Sequence, residues 1–258
     1  MIIPIPTHKK RISIRIGLRA IVPIVIGIVA YNPLYSNTHY FHRKVTFLKA
    51  GSYREIIVKL PITPKKLALE IYDYQQGGTE DFEVEKFKIE PLAKKEVWIE
   101  QSMLDFIDFA QNFCEKAGVL KTGFYHSNDH QFVVHYLPKI KSQEGEILTT
   151  PARTHRVTGR HQVAKEAFKK MSVPMRFFIM LHERKHFTLP SREEKLPDLT
   201  ALKLYLDLGF PSLEAIYAFT KVFPMGGEAI GKAQLQRVED VKNFINKYKE
   251  KELIKEDE

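Results

Sequence analysis

Over roughly its first hundred positions the chain alternates apolar and polar residues with period two. The pattern is visible in Ile12-Ser13-Ile14-Arg15-Ile16, over 44–48 and 53–60, and again over 66–74 and 82–90, where one face is apolar and the other charged. Such alternation sends successive side chains to opposite faces of a strand. Residues 49–52 and 75–78 read as turns, and Val97-Trp98-Ile99 closes the set. Short strands at this spacing predict a β-sandwich. The apolar run over 20–31 follows basic residues and so has the outline of a leader peptide. It contains Pro23, is dominated by Ile and Val, and is short of the roughly 20 residues that span a bilayer. It is predicted to be a buried strand or strand pair, with no membrane association.

From residue 101 the period changes to that of a helix. Leu104, Ile107, Phe109, Ala110, Phe113 and Cys114 share a broad face over 101–117, and Gly118 is a stop signal. This helix is predicted to cap the sandwich, giving a first domain over 1–118. Residues 119–152 mix a short strand (131–136) with a polar loop (142–146) and form the seam. A strand over 156–164 and a helical turn or two over 165–171 come next. A helix opened by Pro174 then runs to Phe187 and is broken by Pro190 and Ser191. Further helices are predicted over 197–208, over 213–222 with Ser212 as cap, and over 232–248. Met225-Gly226-Gly227-Glu228 reads as a turn. The charged tail, 249–258, has a composition that favours disorder in isolation. The fold class is therefore α+β, with a mostly helical second domain over 119–258.

Composition narrows the chemistry. The net charge is +9, which suggests an acidic partner. No helix-turn-helix, RNP or zinc-finger pattern supports nucleic acid. Cys114 is the single cysteine, so internal disulfides and cysteine-based metal clusters are excluded. Nucleotide-binding glycine loops and a serine-hydrolase elbow are also lacking. Of the histidines, His39, His42, His126, His130, His135, His155 and His161 have no acidic support at helical spacing and are assigned surface or core roles.

His182-Glu183-Arg184-Lys185-His186 is the sharp chemical feature. On a helix, residues four apart share a face, so His182 and His186 can offer two imidazoles to one tetrahedral zinc. Glu183 lies beside the metal as the candidate general base. A third ligand is still needed. Glu194 and Asp198 both qualify, and Glu193 is a weaker third. Against the assignment, Arg184 and Lys185 bring two cations close to a Zn²⁺ ion.

Glu194-x-x-x-Asp198 after the motif resembles the element that follows HExxH in glutamate-type zincins. That resemblance implies that Glu194 binds zinc and Asp198 orients a ligand histidine. The longer run is more specific. Leu181-His182-Glu183-x-x-His186 is followed by Asp198-Leu199-x-Ala201-Leu202-x-x-Tyr205-Leu206-x-x-Gly209-Phe210-Pro211. It resembles small zincin-like proteins from the structural gene blocks of tailed phages of Bacteroidetes, crAss-like phages among them. The likeness covers about an eighth of the chain. It implies a zincin-like metallopeptidase fold in a virion component, made in the host cytoplasm. Such a component would sit in a ring at the neck or tail and contact other virion proteins and copies of itself. Active members of such families carry uncharged residues where Arg184 and Lys185 stand, so the resemblance implies a structural role with peptidase activity lost. An active zinc metallopeptidase cleaving protein or cell-wall peptide bonds is the alternative.

Overall fold

A computed structural model describes residues 1–93, 97–190, 193–222 and 231–256. It is a mixed α+β structure that divides into two compact units. One is built on Met1–Glu96, with Ser172–Pro174 and Leu208–Phe210, and the other on the rest.

The first unit contains seven strands. They are β1 (Ile2–Ile5), β2 (Ile12–Ala20), β3 (Ile24–Asn32), β4 (Tyr35–Phe47), β5 (Tyr53–Leu60), β6 (Leu67–Asp73) and β7 (Phe82–Pro91). They form two sheets, ordered β1-β6-β3-β4 and β5-β2-β7, and every pairing is antiparallel. The alternation seen in the sequence becomes burial here. Ile14, Ile16 and Leu18 on β2 and Val58 on β5 are fully buried, while Arg15 and Arg19 on β2 are partly open. The Ile/Val run turns at residues 21–23 and continues as β3, the strand between β6 and β4. Ile24, Ile26, Ile28, Val29 and Ala30 of this strand are buried, so side chains on both of its faces are covered along much of its length.

Two expectations about the edge of this unit are corrected. Residues 97–99 form no strand, and Trp98 is 89% exposed. Three residues with no neighbouring strand have nothing to pair with. Helix α1 (Gln101–Lys116) belongs to the second unit, so the division falls near residue 96 instead of 118. Its apolar face meets aromatic partners there. Phe106 lies edge-on to Phe132 with centroids 5.4 Å apart, and Phe113 does the same with Tyr136 at 5.4 Å.

The second unit continues with β8 (Gly123–His126), β9 (Val133–Leu137), β10 (Ile140–Lys141), β11 (Ile147–Leu148), β12 (Ala152–Thr154) and β13 (His161–Ala164). Four of these form a sheet in the order β12-β13-β9-β8; β10 and β11 pair separately. Among the described residues, β13 and β9 are the pair that runs parallel. The predicted strand over 156–164 is real just at its end, because residues 156–158 lie in a turn.

The helices are α2 (Lys165–Phe168), α3 (Val173–Thr188), α4 (Lys195–Asp207), α5 (Ser212–Tyr217) with a π-helical turn at Ala218–Val222, and α6 (Lys232–Glu256). Ser212 makes no capping bond; Pro211 is the flanking residue of α5. The charged tail continues α6 as helix to Glu256, where disorder was expected. The Met225–Glu228 turn, the break at Ser191 and the last two tail positions lie outside the described residues.

Helix α3 is buried along most of its length, its polar residues included. Its one early charge, Arg176, is fully buried. It donates to the carbonyls of Phe168 (2.7 Å) and Cys114 (2.9 Å) in the last turns of α2 and α1; the Phe168 carbonyl also accepts from the Met171 N–H at 3.0 Å. Among the described residues no helix is long and apolar enough to cross a membrane.

Candidate metal centre

The last two turns of α3 carry His182, Glu183 and His186, and all three are buried. Glu194 stands in the bend before α4, and Asp198 occupies the first turn of α4. The Asp198 N–H donates to the Glu194 carbonyl at 3.0 Å, which ties the two acids into one helix start.

These elements bring the three ligand atoms together. His182 Nε2 lies 3.0 Å from His186 Nε2, and Glu194 Oε2 lies 3.3 Å from His186 Nε2 and 3.7 Å from His182 Nε2. With zinc–ligand bonds near 2.0–2.1 Å, tetrahedral geometry separates neighbouring ligand atoms by about 3.3 Å. The three observed distances bracket that value. His182, His186 and Glu194 thus form a possible metal-binding triad. Asp198, the other candidate third ligand, contacts the opposite ring nitrogen, Nδ1 of His182, at 3.0 Å. It thus lies at the ring nitrogen other than the one nearest Glu194. Glu193 is not part of the triad.

Electrostatics around the triad is mixed. Burial opposes the charged form of His182, but Asp198, Glu183 and Glu194 outweigh it and raise its pKa. The neighbouring His186 brings the Glu194 carboxyl down to about 2, with His182 and Arg237 assisting. Two arginines complete the surroundings. Arg237, on α6, grips Asp198 with Nε at 2.8 Å and Nη2 at 2.9 Å, and reaches Glu194 Oε2 at 3.3 Å. Arg156 sets Nη2 3.2 Å from His186 Nδ1.

The helix is also tied to the sheet. Thr154 on β12 donates to the Glu183 carbonyl at 3.0 Å and lies 2.7 Å from His161 Nδ1. One hydroxyl hydrogen allows one donation, so Nδ1–H of His161 donates to Thr154. A cleft of about 410 Å³ opens over these groups. It is lined by His182, Glu183, His186 and Glu194 on one side and by residues 149–154 on the other, with Arg156 and Arg237. Strand β12 is one of the two outer strands of its sheet.

Arg184, which spoke against a metal in the sequence, points elsewhere. Its guanidinium carbon sits 5.2, 5.0 and 4.9 Å from the ring centres of Phe106, Phe132 and Phe187. Two positions along a helix from each ligand histidine lies the opposite face. Burial lowers the pKa of Lys185 beside it.

Sequence reasoning missed Thr154, Arg156 and Arg237. No local pattern marks them, because they reach the site from 29, 30 and 39 residues away. The rings of His126 and His130 lie 5.0 Å apart, outside any metal-binding group among the described residues. Comparison with protein-family models, with curated proteins and with solved structures gives no match for this chain.

Proposed function

We propose that the second unit is a zincin-like domain that binds one zinc ion through His182, His186 and Glu194 and hydrolyses peptide bonds with Glu183 as base. The observation that carries this reading is the near-tetrahedral spacing of the three ligand atoms, 3.0, 3.3 and 3.7 Å, in a cleft that Glu183 also lines. Zinc held by these three residues would supply Lewis acidity and would lower the pKa of a water in the cleft. The chain's own residues do the rest. The Glu183 carboxylate accepts that water's proton and returns it to the leaving amine. Asp198 keeps a proton on Nδ1 of His182 and so leaves Nε2 free to ligate. The outer edge of β12 faces no described strand and offers its backbone to an extended peptide. The two sheets of the first unit are read as a β-sandwich packed about their apolar faces.

The test has two arms. Purified protein should hold about one zinc per chain, and His182→Ala should lose it; retention of that zinc by the variant would overturn the assignment. Glu183→Gln should keep zinc and lose several orders of magnitude in cleavage of a quenched-fluorescent peptide library.

A second reading rests on the resemblance of the Asp198 to Phe210 run to the phage proteins. In it the domain is chiefly a structural virion part, packed against other virion proteins and copies of itself. Glu183→Gln would then leave particle assembly intact and every virion protein normally processed. Failed maturation in that variant would exclude the structural role as the main one.

A further inference from the structure

Strand β7 is an outer strand. It pairs with β2 on one side and with no described strand on the other. Such an edge presents N–H and C=O groups that will pair with another chain unless something prevents it. Two observations bear on what could pair here. The inner face of β7 is open to solvent in its second half, while Phe82 at its start is buried. Phe87 is 37% and Ile89 43% exposed, while Ile16 and Ile14, opposite them on β2, are fully buried. The charges are also ordered along the strand, with Glu83 and Glu85 in its first half and Lys86 and Lys88 in its second, all exposed. Edge lysines ordinarily repel a second copy. Here the same strand carries the acids that would meet them.

We infer that β7 pairs antiparallel with β7 of a second copy of this chain, about a twofold axis between Glu85 and Lys86. In that register Phe82 lies opposite Ile89 of the second copy and Val84 opposite its Phe87. Glu83 meets Lys88, and Glu85 meets Lys86. Symmetry repeats each contact. From Phe82 to Ile89 each apolar residue faces an apolar one and each charge its opposite; beyond that span Glu90 falls opposite Asp81, a like charge at each end of the pair.

The backbone agrees with this register. The Leu92 N–H donates to the Arg11 carbonyl at 3.1 Å. Alternation then turns the backbone groups of Lys86, Lys88 and Glu90 toward β2, and those of Phe87 and Ile89 toward the open edge. The register shift between Gly17 and Leu18 brings Val84 and Phe82 back into phase with them. Phe82–Ile89 and Val84–Phe87 become the hydrogen-bonded pairs of a new ladder, and the two three-stranded sheets join into one.

The ion pairs already present, Lys86–Glu55 at 2.8 Å, Lys88–Glu90 at 2.5 Å and Arg19 with Glu85, extend across the axis as networks. The two outer strands of the unit's other sheet lack this symmetry. β1 contains Pro4, and β4 carries the basic run His42-Arg43-Lys44. One strand pair buries far less than the roughly 1,200–2,000 Å² of a standard interface, so the dimer is weak and salt-sensitive.

Sedimentation equilibrium of the full chain at low salt tests this. A reversible monomer–dimer equilibrium is expected. An acidic variant, Lys86→Glu with Lys88→Glu, and a basic variant, Glu83→Lys with Glu85→Lys, should each dissociate at least about tenfold more readily. Mixing the two should restore association as a heterodimer, a gain that misfolded variants could not produce. The dimer is independent of the metal reading and should persist in His182→Ala. A wild-type chain that stays monomeric overturns the inference, as do variants that dimerise like wild type or a mixture that stays monomeric.

Discussion

Arg156 holds its Nη2 atom 3.2 Å from Nδ1 of His186. A guanidinium can only donate, so Nδ1 is the acceptor and the proton of a neutral ring resides on Nε2. That is the atom facing His182 and Glu194. His182 has the reverse arrangement, with Asp198 at Nδ1 and Nε2 left to ligate. One histidine is thus preset for a metal ion, and the other is held in the wrong tautomer by a cation. Metal binding requires Arg156 to turn away from His186.

Arg156→Gln should therefore bind zinc more tightly, by up to about tenfold, since Gln can accept from Nδ1–H and carries no charge. Competition titration against a chelating dye reads the change. Equal or weaker affinity in the variant would show that Arg156 does not oppose the ion.

Asp198→Ala should act in the opposite sense. Loss of the group that orients His182 should weaken zinc by roughly 10–100-fold. The metal-free protein should lose about 3 kcal/mol as well, because Arg237 is left without its two-pronged partner in a partly buried place. Urea unfolding with chelator present separates the two effects. A variant as stable as wild type would mean that the Arg237 pair contributes little to the fold.

Arg184→Met tests whether the cation within the motif touches its chemistry. Met keeps the volume among Phe106, Phe132 and Phe187 and places its sulfur against their rings. It also removes a buried Nε that has no hydrogen-bond partner. Stability should change by less than about 1.5 kcal/mol, and zinc stoichiometry should not change. Loss of zinc would place Arg184 in the metal site after all.

His161 gives the fold a pH dependence. Burial, with help from the Arg184 charge, pushes its pKa from an ordinary 6.5 down to about 3. Between those values the unfolded chain binds a proton that the folded chain refuses. Stability is then complete above about pH 6.5 and falls as pH drops toward 3, by up to about 1.4 kcal/mol per unit. His182, whose raised pKa works the other way, is common to wild type and variant. The difference between wild type and His161→Gln in urea midpoints from about pH 7 to about pH 4.5 therefore isolates His161. Parallel curves would show that its folded pKa is not lowered.

Much of the second unit was legible because its signals are local. His182 and His186 are one helical turn apart, and Pro174 and Gly209 mark helix limits that depend on backbone geometry alone. β1 and β8 escaped notice, since four residues are too few to establish a period. The periodicity of residues 101–117 correctly described an apolar face. It could not say which surface that face would meet, and aromatic rings beyond residue 130 claimed it.

By itself, then, the sequence determined most strands of the first unit but not β1, the helix bearing His182, Glu183 and His186, and a short choice of acids for the third ligand. These follow from spacings of two to four residues, which backbone periodicity turns directly into shared faces. Only the tertiary structure decided that Glu194 faces the histidines while Asp198 stands behind His182, and that Arg184 is turned among aromatic rings. It also brought Arg156, Arg237 and Thr154 to the same cleft. Those positions depend on how α3, α4, α6 and β12 pack together, and packing joins residues that share no periodicity along the chain.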